Sequence, residues 1–188
     1  DAIAHNVRVL RRAAPTAAVI VVVKADGYGH GALQTAQAAL AAGAREIGVT
    51  TVEEALDLRA GGVTAPILCW LNVSDTDFAP AVAADVEIGV SSVQHLRAVA
   101  AAARSLGRRA IVSVKVDTGL NRNGASPQEY PRVLDELRAS ESDVTLRAIF
   151  THLANADRPR DPVIDVQKQR FMDAIAAAKA AGLQPDLV

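Results

Sequence analysis

Apolar residues fall along this chain in short β-branched blocks, separated by longer stretches where they recur every three or four positions. The blocks read as buried strands and the stretches as helices. A helix capped by Asp1 runs to about Ala14, with Ile3, Val7 and Leu10 on one face. Val19 to Val23 is the first strand, and a helix from about Ala32 to Ala42 stops at Gly43. Ile47 to Val49 is the second strand. Thr51 and Glu54 have capping-box spacing and open a helix to about Ala60, closed by Gly61 and Gly62. Ile67 to Leu71 and Val86 to Val90 are further strands, with a helix between them from a Ser74 cap through Ala83. Ser91 or Ser92 caps a helix to Leu106. Ala110 to Val116 is the fifth strand, followed by a helix from Ser126 and Pro127 to about Ala139. Thr145 to Phe150 is the sixth. A loop with Pro159 and Pro162 then leads into a helix from about Ile164 to Ala181.

This alternation predicts a parallel sheet covered by helices. An open doubly wound sheet and a (β/α)8 TIM-type barrel both satisfy it. The even spacing, with no GxGxxG turn after any strand, favours the barrel. Six units are visible, and Pro185 to Val188 reads as the opening of another strand. A complete barrel needs about 250 residues, so residues 1–188 read as one partial barrel, a piece of a longer protein.

Composition narrows the function without naming it. Half of the residues are apolar but only 3% are aromatic, and the alanine runs favour helix. The net charge of −1 is spread evenly, which argues against nucleic-acid or membrane-surface partners. Cys69 is the sole cysteine, which fits a reducing, cytoplasmic setting. The histidines, at positions 5, 30, 95 and 152, lack metal-ligand spacing. No GxSxG elbow or P-loop is present.

The candidate chemistry lies where strands end, since the loops there share one mouth in a barrel. Lys24 closes the first strand and runs into Gly27, Gly29 and Gly31. Partial burial favours a neutral, nucleophilic amine, suited to a Schiff base with pyridoxal phosphate. The plain alternative is a lysine that snorkels to solvent. Tyr28 reads as a phosphate ligand or an aromatic lid, and His30 as a loop hydrogen-bonder. Lys115 lies within an apolar strand and shares a face with Ser113 and Asp117. It either pairs with Asp117 or belongs to a polar row lining the interior. Arg122 sits in a glycine-flanked loop, where it suits a carboxylate or phenolate oxygen. His152 either packs on a planar ring or is a satisfied strand-end histidine.

Three segments resemble one family. Val22-Val-Lys-Ala-Asp-Gly-Tyr-Gly-His-Gly31 resembles the cofactor-lysine motif of the alanine racemases. Lys115-Val-Asp-Thr-Gly-Leu-Asn-Arg-Asn-Gly124 resembles their second signature, and Thr151-His-Leu-Ala-Asn-Ala-Asp157 their third. Gly27 replaces the more usual alanine. The resemblance implies pyridoxal 5'-phosphate held by Lys24 in a Schiff base, with Tyr28 on its phosphate. It makes Lys24 the base on the D-alanine face and places Arg122 at the phenolate oxygen and the substrate carboxylate. His152 packs on the ring, and Lys115 matches a lysine that is often carbamylated. It further implies a homodimer whose second base, a tyrosine, comes from a C-terminal β-domain absent from these residues, and a role in supplying D-alanine for peptidoglycan. Without that domain, the resemblance implies, residues 1–188 cannot complete the two-base reaction. A decarboxylase of basic amino acids, another racemase of the same fold type, a non-enzymatic cofactor carrier, or a barrel using Lys24 as a phosphate clamp are the other readings of these residues.

Overall fold

The computed structural model describes residues 2–73, 75–158 and 160–188. The capping roles expected of Asp1 and Ser74, and the expected loop residue Pro159, fall outside them. Six parallel strands lie side by side in chain order: β1 (Ile20–Val22), β2 (Glu46–Val49), β3 (Ile67–Cys69), β4 (Glu87–Val90), β5 (Ala110–Lys115) and β6 (Val144–Phe150). A doubly wound sheet reverses its strand order partway, and this one never does. Leu187 continues the progression by pairing with β6, exchanging main-chain bonds with Arg147 and Ile149.

The helices are α1 (Ala2–Ala13), α2 (Lys24–Gly29), α3 (Ala32–Ala41), α4 (Val52–Ala60), α5 (Ala79–Ala83), α6 (Val93–Ser105), α7 (Tyr130–Ala139) and α8 (Pro162–Ala180). The capping box of α4 is complete: Thr51 accepts from the Glu54 amide and the Glu54 side chain accepts from Thr51. Ser92, not Ser91, caps α6. Three expectations need correction. The helix before β4 covers only Ala79 to Ala83, because Pro80 confines it to the stretch after Phe78. Ser126 accepts from the Glu129 amide in a separate turn, and α7 starts later, with Pro131 in its first turn. On α1, the buried positions are Ala4 and Val7, while Leu10 is exposed.

Alternation gives the sheet two unlike faces. Outward residues, among them Ile47, Val49, Ile88, Val90, Val112 and Val114, form one core with Leu58, Leu96, Val99 and Leu137 from the helices. The inward face is small and polar. β2 and β4 share the sequence Glu-Ile-Gly-Val, and their glycines face Trp70: a Cβ on Gly48 would lie 2.8 Å from the indole, and one on Gly89 2.6 Å from the Trp70 Cβ. The glutamates, Glu46 and Glu87, meet Arg147. Arg147 occupies a bulge, since Val112 pairs with Leu146 but Ser113 pairs with Ala148. The guanidinium of the partly buried Arg147 bonds both buried carboxylates, and Ser113 donates to Glu87. Burial pushes the Glu87 carboxyl above its ordinary range, against the pull of Ser113 and Arg147.

Removing the shared cation strands two buried carboxylates. Arg147→Met should therefore cost about 3–5 kcal/mol in urea unfolding at neutral pH. The loss should shrink in acid as Glu87, whose pKa is raised, neutralises, and largely vanish when Glu46→Gln and Glu87→Gln are added.

Candidate active site

Lys24 follows Val23 at the end of β1, where the main chain makes an uncommon move. Ala25, Asp26, Gly27 and Tyr28 all have positive φ, between 50° and 62°. Three of these four lack the freedom of glycine, and each costs about 1–2 kcal/mol in that conformation. The turn is therefore held from outside. The Gly27 amide donates to Val23 O at 2.8 Å and the Gly31 amide to Asp26 O at 2.9 Å. The Ala32 amide donates to Asp26 Oδ1 at 2.8 Å. The Ala25 amide, next to Lys24, donates to Glu54 Oε1 at 2.7 Å.

Glu54 is the residue that sequence reasoning undervalued. Beyond its cap, its other oxygen takes the Thr50 amide and hydroxyl at 2.8 and 2.7 Å. One carboxylate thus joins the ends of β1 and β2. Burial alone would raise its pKa, but the bonds from Ala25, Thr50 and Thr51 prevail and hold it below the ordinary range.

Lys115 ends β5 on the inward face and is 2% exposed. Among the described residues its Nζ has no hydrogen-bond partner. Burial lowers its pKa, and the nearby Arg122 lowers it further, against the opposing charge of Asp117. The Lys115–Asp117 pair weighed above does not form, because Asp117 Oδ1 accepts the amides of Gly119 and Asn121 at 2.9 and 3.1 Å. Asp117 shapes the loop that carries Arg122. Lys115 is left to the polar row.

The structure brings Lys24, Tyr28, Lys115, Arg122 and His152 into one neighbourhood. Lys24 Nζ sits 5.7 Å from the centre of the largely exposed Tyr28 ring. The His152 pKa is lowered first by burial and then by Arg122, Lys115 and Lys24 in turn, which disfavours its imidazolium form. His30 only closes the left-handed turn through its amide. A groove of about 530 Å³ lies between α7 and α8 beside Asp117, Tyr130, Arg170 and Ala174, and none of these cations lines it. Among the described residues, no group of histidines, cysteines and carboxylates is suited to a metal ion, and no helix is long and apolar enough to cross a membrane.

Comparison with known proteins places this geometry. The family model for the alanine racemase N-terminal domain matches residues 1–188. The chain is 54% identical to an alanine racemase of Mycobacterium avium over 185 residues, 97% of this chain and 48% of that protein. It is equally similar to one from Mycolicibacterium smegmatis, covering 47% of it. The chain therefore spans about half the length of these curated relatives. Among solved structures, the alanine racemase of D-cycloserine-producing Streptomyces lavendulae superposes with a TM-score of 0.96 at 41% identity, over 99% of this chain and 49% of that one. The Corynebacterium glutamicum alanine racemase gives 0.90 at 38% identity, over 99% of this chain and 52% of that one.

The depressed Glu54 pKa makes its contribution to stability pH-dependent. That contribution is full above the ordinary carboxylate value of 4.5 and is lost as pH falls through the lower folded value. Thermal melts from pH 6 down to about pH 3 should show a steeper decline for wild type than for Glu54→Gln, which starts lower at pH 6.

Proposed function

Given that this chain belongs to the alanine racemase N-terminal domain family, we propose that residues 1–188 form the cofactor-holding barrel domain of an enzyme interconverting L-alanine and D-alanine. The observation that carries the reading is the gathering of Lys24, Lys115, Arg122 and His152 at one mouth while the neighbouring carboxylates are committed elsewhere. Asp117 is spent on loop amides and Glu54 on the ends of β1 and β2. Such a site calls for an anionic, planar partner.

Pyridoxal 5'-phosphate fits these residues. When bound, it supplies an electron sink that makes the α-proton of an amino acid removable. Lys24 would hold it through Nζ, with Tyr28 toward the phosphate, Arg122 toward the phenolate oxygen and His152 against the ring. A neutral imidazole suits that last role, since it adds no fourth cation. Once free, Lys24 Nζ would take or return the α-proton on one face of alanine, and Arg122 would orient the substrate carboxylate. The half-buried Lys24, held by a strained turn, keeps that amine in fixed register with the mouth. The base for the other face, the homodimeric assembly, the cytoplasmic setting and the supply of D-alanine for peptidoglycan belong to the same proposal for the whole protein.

Lys115 extends it. A buried, unpartnered amine of lowered pKa is neutral often enough to add CO2, forming an N–C bond and releasing one proton. The resulting carbamate would give Arg122 an anionic partner.

Two experiments test these roles in the full-length protein. Purified enzyme should racemise L-alanine and show the visible absorbance of lysine-bound cofactor. Lys24→Ala should abolish that absorbance and lower turnover by on the order of 10²–10⁴-fold. Wild type without the absorbance refutes the assignment. With ¹³CO2, a carbamate carbon signal should appear in wild type and be absent in Lys115→Met.

A further inference from the structure

Gln167 lies on the buried stripe of α8 with Ala174, Ile175 and Ala178, and it is 1% exposed. An amide at such a position is costly unless its hydrogen bonds are made. All of its bonds go to the loops that carry the candidate site. Nε2 donates to Thr118 Oγ1 at 3.1 Å and to His152 O at 3.2 Å. Oε1 accepts the Ala154 amide at 2.8 Å. Thr118, itself 1% exposed, shares a 2.8 Å hydrogen bond with Thr151, whose hydroxyl also contacts Val116 O at 2.8 Å. One turn along α8, Arg170 donates to Thr118 O at 3.0 Å. One carboxamide therefore bridges the loop after β5, which carries Arg122, and the loop after β6, which carries His152.

The geometry points to Gln167 as a positioning residue for His152. It fixes the main chain on both sides of Leu153, at the His152 carbonyl and the Ala154 amide. The imidazole is thereby set against Lys24, Lys115 and Arg122. No other side chain among the described residues is shown bonding the His152 carbonyl. The carboxamide is suited to this because it presents two donors and an acceptor in one plane. This inference rests on the proposed role of His152 at the cofactor.

The test uses the full-length protein with and without pyridoxal 5'-phosphate. Gln167→Met keeps the length and removes all three bonds. It should raise deuterium uptake in the 152–158 segment of cofactor-free protein. It should also weaken pyridoxal phosphate binding by on the order of tenfold to a hundredfold. Gln167→Glu keeps the shape, but its ionised form turns a lone pair toward the His152 carbonyl. Its binding defect should shrink as pH falls and the carboxyl regains a donor, a profile that Gln167→Met lacks. Gln169→Met, an exposed change on the same helix, should alter neither measurement.

Wild-type uptake and affinity in Gln167→Met would overturn the assignment. So would equal changes in Ala178→Gly, a helix-interior substitution that loosens α8 without touching these loops. Absence of lysine-bound cofactor in the wild type would defeat the reading of Lys24 instead. The exchange comparison on cofactor-free chains would still decide whether Gln167 holds the segment.

Discussion

Most strands of this sheet are buried on both sides, but the two sides obey different constraints. Outward positions are β-branched and meet helices, so their burial is governed by area removed from water. Inward positions hold Glu46, Glu87, Ser113 and Lys115, which are tolerable in a dry interior only with partners. Glu46, Glu87 and Ser113 resolve this among themselves with Arg147. Lys115, at the strand end, has no such partner, and Arg122 beside it adds charge of the same sign. The interior is therefore neutralised at one end and left electropositive at the other. That asymmetry makes the strand ends a place for an anion and the strand starts a place for structure.

The electropositive end is braced by polar side chains that bond the main chain around it. Glu54 braces the turn after Lys24, Asp117 shapes the loop bearing Arg122, and Gln167 spans the loops bearing Arg122 and His152. Each uses a side-chain oxygen or amide to satisfy main-chain groups that a loop would otherwise leave to water. Strain at Ala25, Asp26 and Tyr28 persists because these bonds over-determine the turn. The cations are held by main chain that is itself held, which keeps like charges together against their repulsion.

Much of this was legible in the chain. The order of strands and helices followed from local periodicity, and the cluster of Lys24, Lys115, Arg122 and His152 followed from strand-end placement and the three motifs. What escaped was long-range or contrary to propensity. The Arg147 contacts span 101 and 60 residues, and no window of sequence joins them. The repeated Glu-Ile-Gly-Val was their one visible trace. The turn after Lys24 was attributed to glycine, and Gly27, Gly29 and Gly31 do have positive φ, yet so do Ala25, Asp26 and Tyr28, where Glu54 supplies a restraint from α4. Gln167 looked like one polar residue among others on a long helix, since periodicity records which face is buried but not which polar atoms wait there.

The bulge at Arg147 reaches beyond its ion pairs. Val144 and Leu146 face the helices, and so does Ile149, although it lies three positions, not two, beyond Leu146. The extra residue shifts the phase of β6 midway, so its first half and its second half count their sides differently. Val114 and Ile149 meet across the joint as outward neighbours, and three residues further on, just past the end of β6, His152 lies near Lys24, Lys115 and Arg122. Arg147 is thus a punctuation mark in the strand: it is the one position that lets both halves of β6 keep their apolar side chains on the helix face.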